Sequence, residues 1–197
     1  MNKQKEINQA SFHLAQSYYA YNFLKKEFSN VERLYDYQNQ KRIKKSKNQI
    51  KRKINLICYS HKSNNFLDLV KSTSKIKFIK LENLNTNQIL SIFEKTKIYI
   101  DFGYHPGKDK MPREAVLFNN CIITNYKGSA KNKNDIPINE EFKFYERSKN
   151  INKIQTKINE VLLNHKKEFK KFERYKKQVL MEEKNFKSQI LKIFNKI

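Results

Sequence analysis

From residue 54 onward, short apolar runs alternate with amphipathic segments. INLICY (54–59) is an apolar run of strand length, the pattern of a strand covered on both faces. IKFIKL (76–81) alternates like a more exposed strand. NTNQILSIFEK (85–95) reads as a helix opened by Asn85, with Gln88 three positions on in a capping-box arrangement. KIYIDF (97–102) is a further strand, and PREAVLFNN (112–120) a helix with Pro112 in its first turn, where its missing N–H costs nothing. CIIT (121–124) closes the series as a strand. Strand and helix in alternation with short links predict right-handed βαβ crossovers. The expected fold is therefore α/β, a Rossmann-like parallel sheet with helices on both faces.

Both ends of the chain read as helical. Ile151, Ile154, Ile158, Val161 and Leu162 form one stripe in the tail, and Phe169, Phe172, Tyr175, Val179, Phe186, Ile190 and Ile193 another. These aromatics read as packing rather than as a platform for bases. At the N-terminus, residues 7–28 carry two stripes at helical spacing: Ile7, Ala10, Leu14, Tyr18, Tyr21, Leu24 and Phe28, then Phe12, Ala15, Tyr19 and Phe23. A helix apolar on two faces expects partners on both sides, so self-association or a partner chain is expected there. A strand-like VERLYDY (31–37) follows. The resulting division is an N-terminal piece (1–40), a basic linker (41–53), a sheet domain (54–150) and long C-terminal helices packing back on it (151–197).

Composition changes this picture little. A hydrophobic fraction of 38% in 197 residues supplies one core and argues against general disorder. No N-terminal stretch has the pattern of a signal peptide, and the longest apolar runs, such as AVLF (115–118), fall far short of a membrane span. Cys58 and Cys121 lie in apolar strand-like runs with no second cysteine at metal-ligand spacing, the usage of buried free thiols in a reducing cytoplasm. The net charge of +23 attracts nucleic acid, anionic lipid or phosphorylated ligands. A lysine excess that travels with Asn and Ile along the whole chain is equally a solvated surface. The densest run, KRIKKSKNQIKRK (41–53), holds eight Lys or Arg and no acid; it reads as a solvated linker or as an arm for nucleic acid or lipid head groups. No recognition motif for nucleic acid accompanies it.

Candidate chemistry concentrates in one window. All three glycines and all three prolines fall between Gly103 and Pro137. In an open parallel sheet, ligands bind at the carboxyl ends of the strands. Three loops leave that edge: SHKSN (60–64), GYHPGKDK (103–110) and NYKGSA (125–130), carrying His61, Lys62, His105, Lys108, Lys110 and Lys127. Gly103, Gly107 and Gly128 would let backbone approach a ligand closely. The N–H groups of Arg113 and Glu114 at the start of the next helix favour an anion. Together these point to a doubly or triply charged anion, most simply a diphosphate. Glu114 among the cations either complements the helix dipole and pairs with Arg113 or Lys110, or accepts hydrogen bonds from ribose hydroxyls.

The run IYIDFGYHPGKDKMPREAVLFNNCIITNYKGSA resembles the nucleotide-sugar half of GT-B glycosyltransferases, in which a helix begins with a Glu-Ala pair, here Glu114-Ala115, and a short strand leads to a glycine-bearing loop. It is most similar to bacterial glycosyltransferase-like proteins of surface-polysaccharide loci. ICYSHK (57–62), HLAQSYYAYNFL (13–24) and LYDY (34–37) carry the resemblance outward. It implies the C-terminal half of a GT-B fold, with residues 1–40 as the end of a first domain and the acceptor half not represented, so that the chain alone is not expected to transfer sugar. The implied donor is a nucleotide sugar, UDP-sugar first; the implied acceptor is a glycan or lipid-linked glycan, at the inner face of the membrane. Lys62, Lys108, Lys110 and Arg113 are assigned to phosphate and Glu114 to ribose, with Gly107 and Gly128 as further substrate-binding positions. Retaining members carry a second glutamate eight residues before Glu114, where this chain has Pro106; His105 and Lys108 are the candidates to replace it, with His105 near the sugar as the expected catalytic residue. No Asp-x-Asp pair occurs, so donor binding is expected to need neither metal nor cofactor.

Overall fold

The computed structural model describes residues 3–39 and 53–195. Most of the basic 41–53 run lies outside the described residues. The sheet domain holds four parallel strands: β3 (Leu56–Ser60), β4 (Lys77–Leu81), β5 (Ile98–Asp101) and β6 (Cys121–Thr124), in spatial order β4-β3-β5-β6. Ile57 pairs with both Phe78 and Ile98, and Ile98 in turn with Cys121. The strand positions and parallel pairing expected from the apolar runs are therefore present. A helix over Asn65–Ser72 (α3), which the hydrophobic pattern did not reveal, supplies the first crossover; Thr86–Lys95 (α4) and Lys110–Leu117 (α5) supply the others. The capping box of α4 is formed as read, Asn85 and Gln88 each accepting from the other's N–H.

The chain moves from β3 to its neighbour on one side, then crosses to β5 on the other. Right-handed crossovers put α3 on one face and α4 and α5 on the opposite face. The tail packs against both: α3 meets α6 (Ile151–Leu163), and α5 meets α8 (Glu173–Leu180). Ile57, Ile98, Ile100, Ile122 and Ile123 of the sheet are buried with Val70, Phe93, Val116, Ile158 and Tyr175 of the helices. Cys58 and Cys121 are buried free thiols in this core, and burial pushes the Cys58 thiol up to about 12. The tail comprises α6, α7 (His165–Lys170), α8 and α9 (Glu182–Phe194) in place of a few long helices.

The N-terminal expectation needs correcting. Residues 7–28 are not one helix. Lys3–Gln9 (α1) is followed by a short strand, His13–Ala15 (β1), then a second helix, Tyr18–Leu24 (α2). β1 pairs in parallel with β2 (Val31–Arg33). Two contacts override the local helical period. His13 N–H donates to Asn30 O at 2.8 Å, and the buried carboxylate of Asp135 receives the N–H groups of Tyr18 and Tyr19 at 2.8 and 2.9 Å. Ser17 caps the restarted helix. The two-striped helix behind the expected partner surface is therefore not formed.

At the amino edge of the sheet, helix C-termini converge and cations meet their carbonyls. Lys53, the last residue of the basic run, is no solvated linker residue. Its Nζ donates to Phe93 O and Thr96 O, and burial holds its pKa down near 8. Lys97 donates to Leu162 O, and Lys176 to Asn119 Oδ1. Asn119, in the left-handed region at φ +61°, ends α5, and its carbonyl lies 2.9 Å from His165 Nε2. Burial, then the nearby Lys53 charge, pushes His165 down to about 4, although the Asn119 contact opposes this.

Between the ordinary His value of 6.5 and about 4, the unfolded chain takes up a proton at His165 that the folded chain does not. Stability should therefore fall as pH drops through that window. His165→Asn keeps a donor for Asn119 and should flatten that part of the acid dependence, read as the urea midpoint against pH.

Candidate functional site

The loop leaving β5 is held from three directions, and its glycines are explained by these contacts. A Cβ on Gly103 would lie 2.6 Å from Lys62 Cβ. Gly103 O accepts from Asn125 Nδ2 at 2.9 Å, and Phe102 N–H donates to Ser63 Oγ at 3.1 Å. The loop after β6 rises under the same segment: Ser129 N–H donates to His105 O at 2.8 Å and Ser129 Oγ to Gly107 O. Gly128 has φ +57°, and a Cβ there would stand 2.0 Å from His105 O. In this structure Gly103 makes room for the Lys62 and Asp101 side chains and Gly128 lets backbone approach backbone, where the sequence suggested approach to a ligand. A Cβ on Gly107 would meet Gln16 Oε1 at 3.1 Å, on the N-terminal unit.

Inside this loop His105 is fully buried between two carboxylates. Its Nδ1 lies 2.9 Å from Asp109 Oδ2 and its Nε2 3.6 Å from Asp101 Oδ1, and neither contact is aligned as a hydrogen bond. Asp101 is fixed by Tyr99 O–H at 2.6 Å and Gly103 N–H at 3.0 Å. Burial disfavours the imidazolium, but the Asp109 contact and the Asp101 charge outweigh it and raise the His105 pKa. Burial likewise acts to raise Asp109, and His105 with Lys62 reverses this and lowers it. His105, assigned to a sugar, has no surface here with which to touch one. Sequence reasoning missed both acids, though each stands four residues from His105.

Arg113 and Lys108, assigned to phosphate, are also buried, and their charges are already matched. Arg113 Nη2 lies 2.7 Å from Asp36 Oδ1, and Nη1 3.1 Å from Glu182 Oε2. The same guanidinium donates to Lys108 O and Asp109 O, fixing the end of the loop. Lys108 Nζ is 2.6 Å from Glu182 Oε1 and 4.9 Å from the centre of the Tyr35 ring. Burial opposes the guanidinium charge, but Glu182 and Asp36 more than restore it. Nothing in the local pattern around residues 36 or 182 marks these acids, because they meet Arg113 only through the fold.

The helix start is also displaced. α5 begins at Lys110 with Asp109 as its N-cap residue, making no side-chain cap. The donors without intrahelical partners are then those of Asp109, Lys110 and Met111, not Arg113 and Glu114. Glu114 is nearly buried, 3.4 Å from Lys110 Nζ. The solvent-facing cations of this edge are Lys62, Lys110 and Lys127, each beside one carboxylate: Asp109 at 3.5 Å, Glu114, and Glu146 at 2.8 Å. Glu146, unremarked in the sequence, also accepts from Asn64 and Asn125, tying the β3 and β6 loops together. A shallow hollow at the start of α4, lined by Leu84, Asn87 and Ser91, involves none of these groups.

Two substitutions test the construction of this loop. Gly128→Ala forces a side chain into the left-handed region, costing about 1–2 kcal/mol before the collision with His105 is counted. Glu182→Ala leaves Lys108 and Arg113 short of their shared acid and should cost about 3–5 kcal/mol. Urea denaturation reads both; a loss below 1 kcal/mol for Glu182→Ala would mean that the buried network does not hold the loop.

Compared with protein families, curated proteins and solved structures, the chain matches none.

Proposed function

We propose that the chain binds a nucleotide-sugar donor, with UDP-sugars the first choice, and serves glycan synthesis as the donor-binding part of a GT-B-like glycosyltransferase. The observation that carries this reading is the strand order. Crossovers leaving β3 and β5 in opposite directions open a switch point between their carboxyl ends, where α/β sheets place ligands. The Lys62 loop and the His105 loop flank that point, and the REAVLFNNCIITNYKGSA segment that carries the GT-B resemblance supplies α5, β6 and the loop beneath.

The division of labour differs from the one read from sequence. Lys62, Lys110 and Lys127 take the diphosphate, together with the free N–H groups of Lys110 and Met111 at the start of α5. The lysine ends of these pairs face solvent while their carboxylates are largely buried, so each ammonium can turn outward to a more highly charged diphosphate. Lys108 and Arg113 hold the loop in place. Glu114 takes the ribose hydroxyls. During transfer, negative charge develops on the leaving nucleoside diphosphate, and fixed cations stabilise it. The acceptor hydroxyl of a glycan or lipid-linked glycan must be held in attack position by a base, a positioning worth roughly 7–11 kcal/mol. Among the described residues no helix is long and apolar enough to cross a membrane; the proposed setting is the cytoplasmic face, where lipid-linked acceptors are reached peripherally.

Calorimetry with UDP and inorganic pyrophosphate tests the assignment. Lys62→Ala and Lys127→Ala should each weaken both ligands by about threefold to tenfold, the loss of one exposed ionic contact. Glu114→Ala should weaken UDP and spare pyrophosphate. Equal losses for the two ligands at Glu114→Ala would remove the ribose role, and no heat with UDP at millimolar concentration would remove the donor reading.

A further inference from the structure

Buried polar atoms in folded proteins nearly always have partners, and those without one call for an explanation such as a bound ion. His105 is fully buried and neither ring nitrogen has an aligned hydrogen bond. On either side stand the carboxylates of Asp101 and Asp109, and one oxygen from each, with a ring nitrogen, all lie within 4.8 Å of one another. We propose that Asp101, His105 and Asp109 form a binding site for a divalent cation of the zinc class. Imidazole nitrogen and carboxylate oxygen are both zinc ligands, and three protein ligands leave a fourth position for water or a ligand oxygen.

Three features of the surroundings support a built site. Tyr99 O–H and Gly103 N–H each occupy one lone pair of Asp101 and leave others to coordinate. Such outer contacts are what orient metal-binding carboxylates. Asp109 is partly exposed, so an ion has a way in from the sheet edge. Lys62 stands at that opening, 3.5 Å from Asp109 Oδ2, a distance at which it contributes charge without a strong hydrogen bond. An arriving divalent ion would displace this ammonium from Asp109. Neither an Asp-x-Asp pair nor cysteine spacing marks three ligands set four residues apart from the end of β5 to the start of α5. The inference does not rest on donor binding.

The test uses the full, untagged chain with zinc or cobalt(II) chloride and no nucleotide. Zinc at a hundredfold excess over its dissociation constant should raise Tm by about 5 °C or more, and cobalt(II) should develop the visible absorption of a low-symmetry, four-coordinate site. Both signals should be lost in His105→Gln and in Asp109→Asn. Lys62→Ala keeps the Cβ that packs on Gly103 and removes the competing ammonium, so it should bind cobalt at least threefold more tightly. Should the buried variants fail to fold, Lys62→Ala decides alone: unchanged or weaker affinity overturns the site. So does the absence of any cobalt spectrum in the native chain, or a spectrum that survives in folded His105→Gln.

Discussion

Arg113 sits with no exposed surface where three parts of the chain meet: the end of the β5 loop, the segment after β2, and the first turn of α9. A guanidinium cannot shed its charge as a lysine can, so once it is buried the fold has to bring acids to it. Asp36 and Glu182 arrive from opposite ends of the chain, and Lys108 shares the second of them. This places the N-terminal β1-α2-β2 unit and the C-terminal helix against the loop that carries the candidate site. Tyr35 N–H donating to Gln189 and the Tyr37–Phe186 ring contact extend the same junction. The loop is thereby shaped by residues nearly the whole chain apart.

Charge in this protein is organised by polarity of the backbone as much as by pairing of side chains. With strands parallel, helix C-termini gather at one edge of the sheet and N-termini at the other. Lys53, Lys97, Lys176 and His165 serve carbonyl or amide oxygens at the first edge, and partial burial lowers the proton affinity of Lys53 and His165. At the opposite edge Lys62, Lys110 and Lys127 face solvent, and a helix start without a side-chain cap adds partial positive charge. A chain with 42 basic and 19 acidic residues thus divides its cations between a structural edge and one that can receive an anion.

The sheet is legible in local patterns along the chain. Four strand-length runs, the Asn85–Gln88 capping box and Pro112 in a first turn are local signals: β3, β5 and β6 are covered on both faces and read as continuous apolar runs, whereas the more exposed β4 alternates. The sequence also located the window in which chemistry is concentrated, since Gly103 and Gly128 stand where a Cβ does not fit. Helix α3 leaves no comparable signal, and the helical period over 7–28 does not give one helix; there the β2 pairing and Asp135, over a hundred residues away, overrule the local period. The tertiary structure alone decided the fate of the charged residues. Around the β5 loop, whether a lysine or arginine faces solvent or is buried depends on where an acid arrives from elsewhere in the chain. Asp36 and Glu182 took Arg113 and Lys108 into the interior, Asp101 and Asp109 enclosed His105, and Lys62, Lys110 and Lys127 stayed at the surface because no such acid buries them.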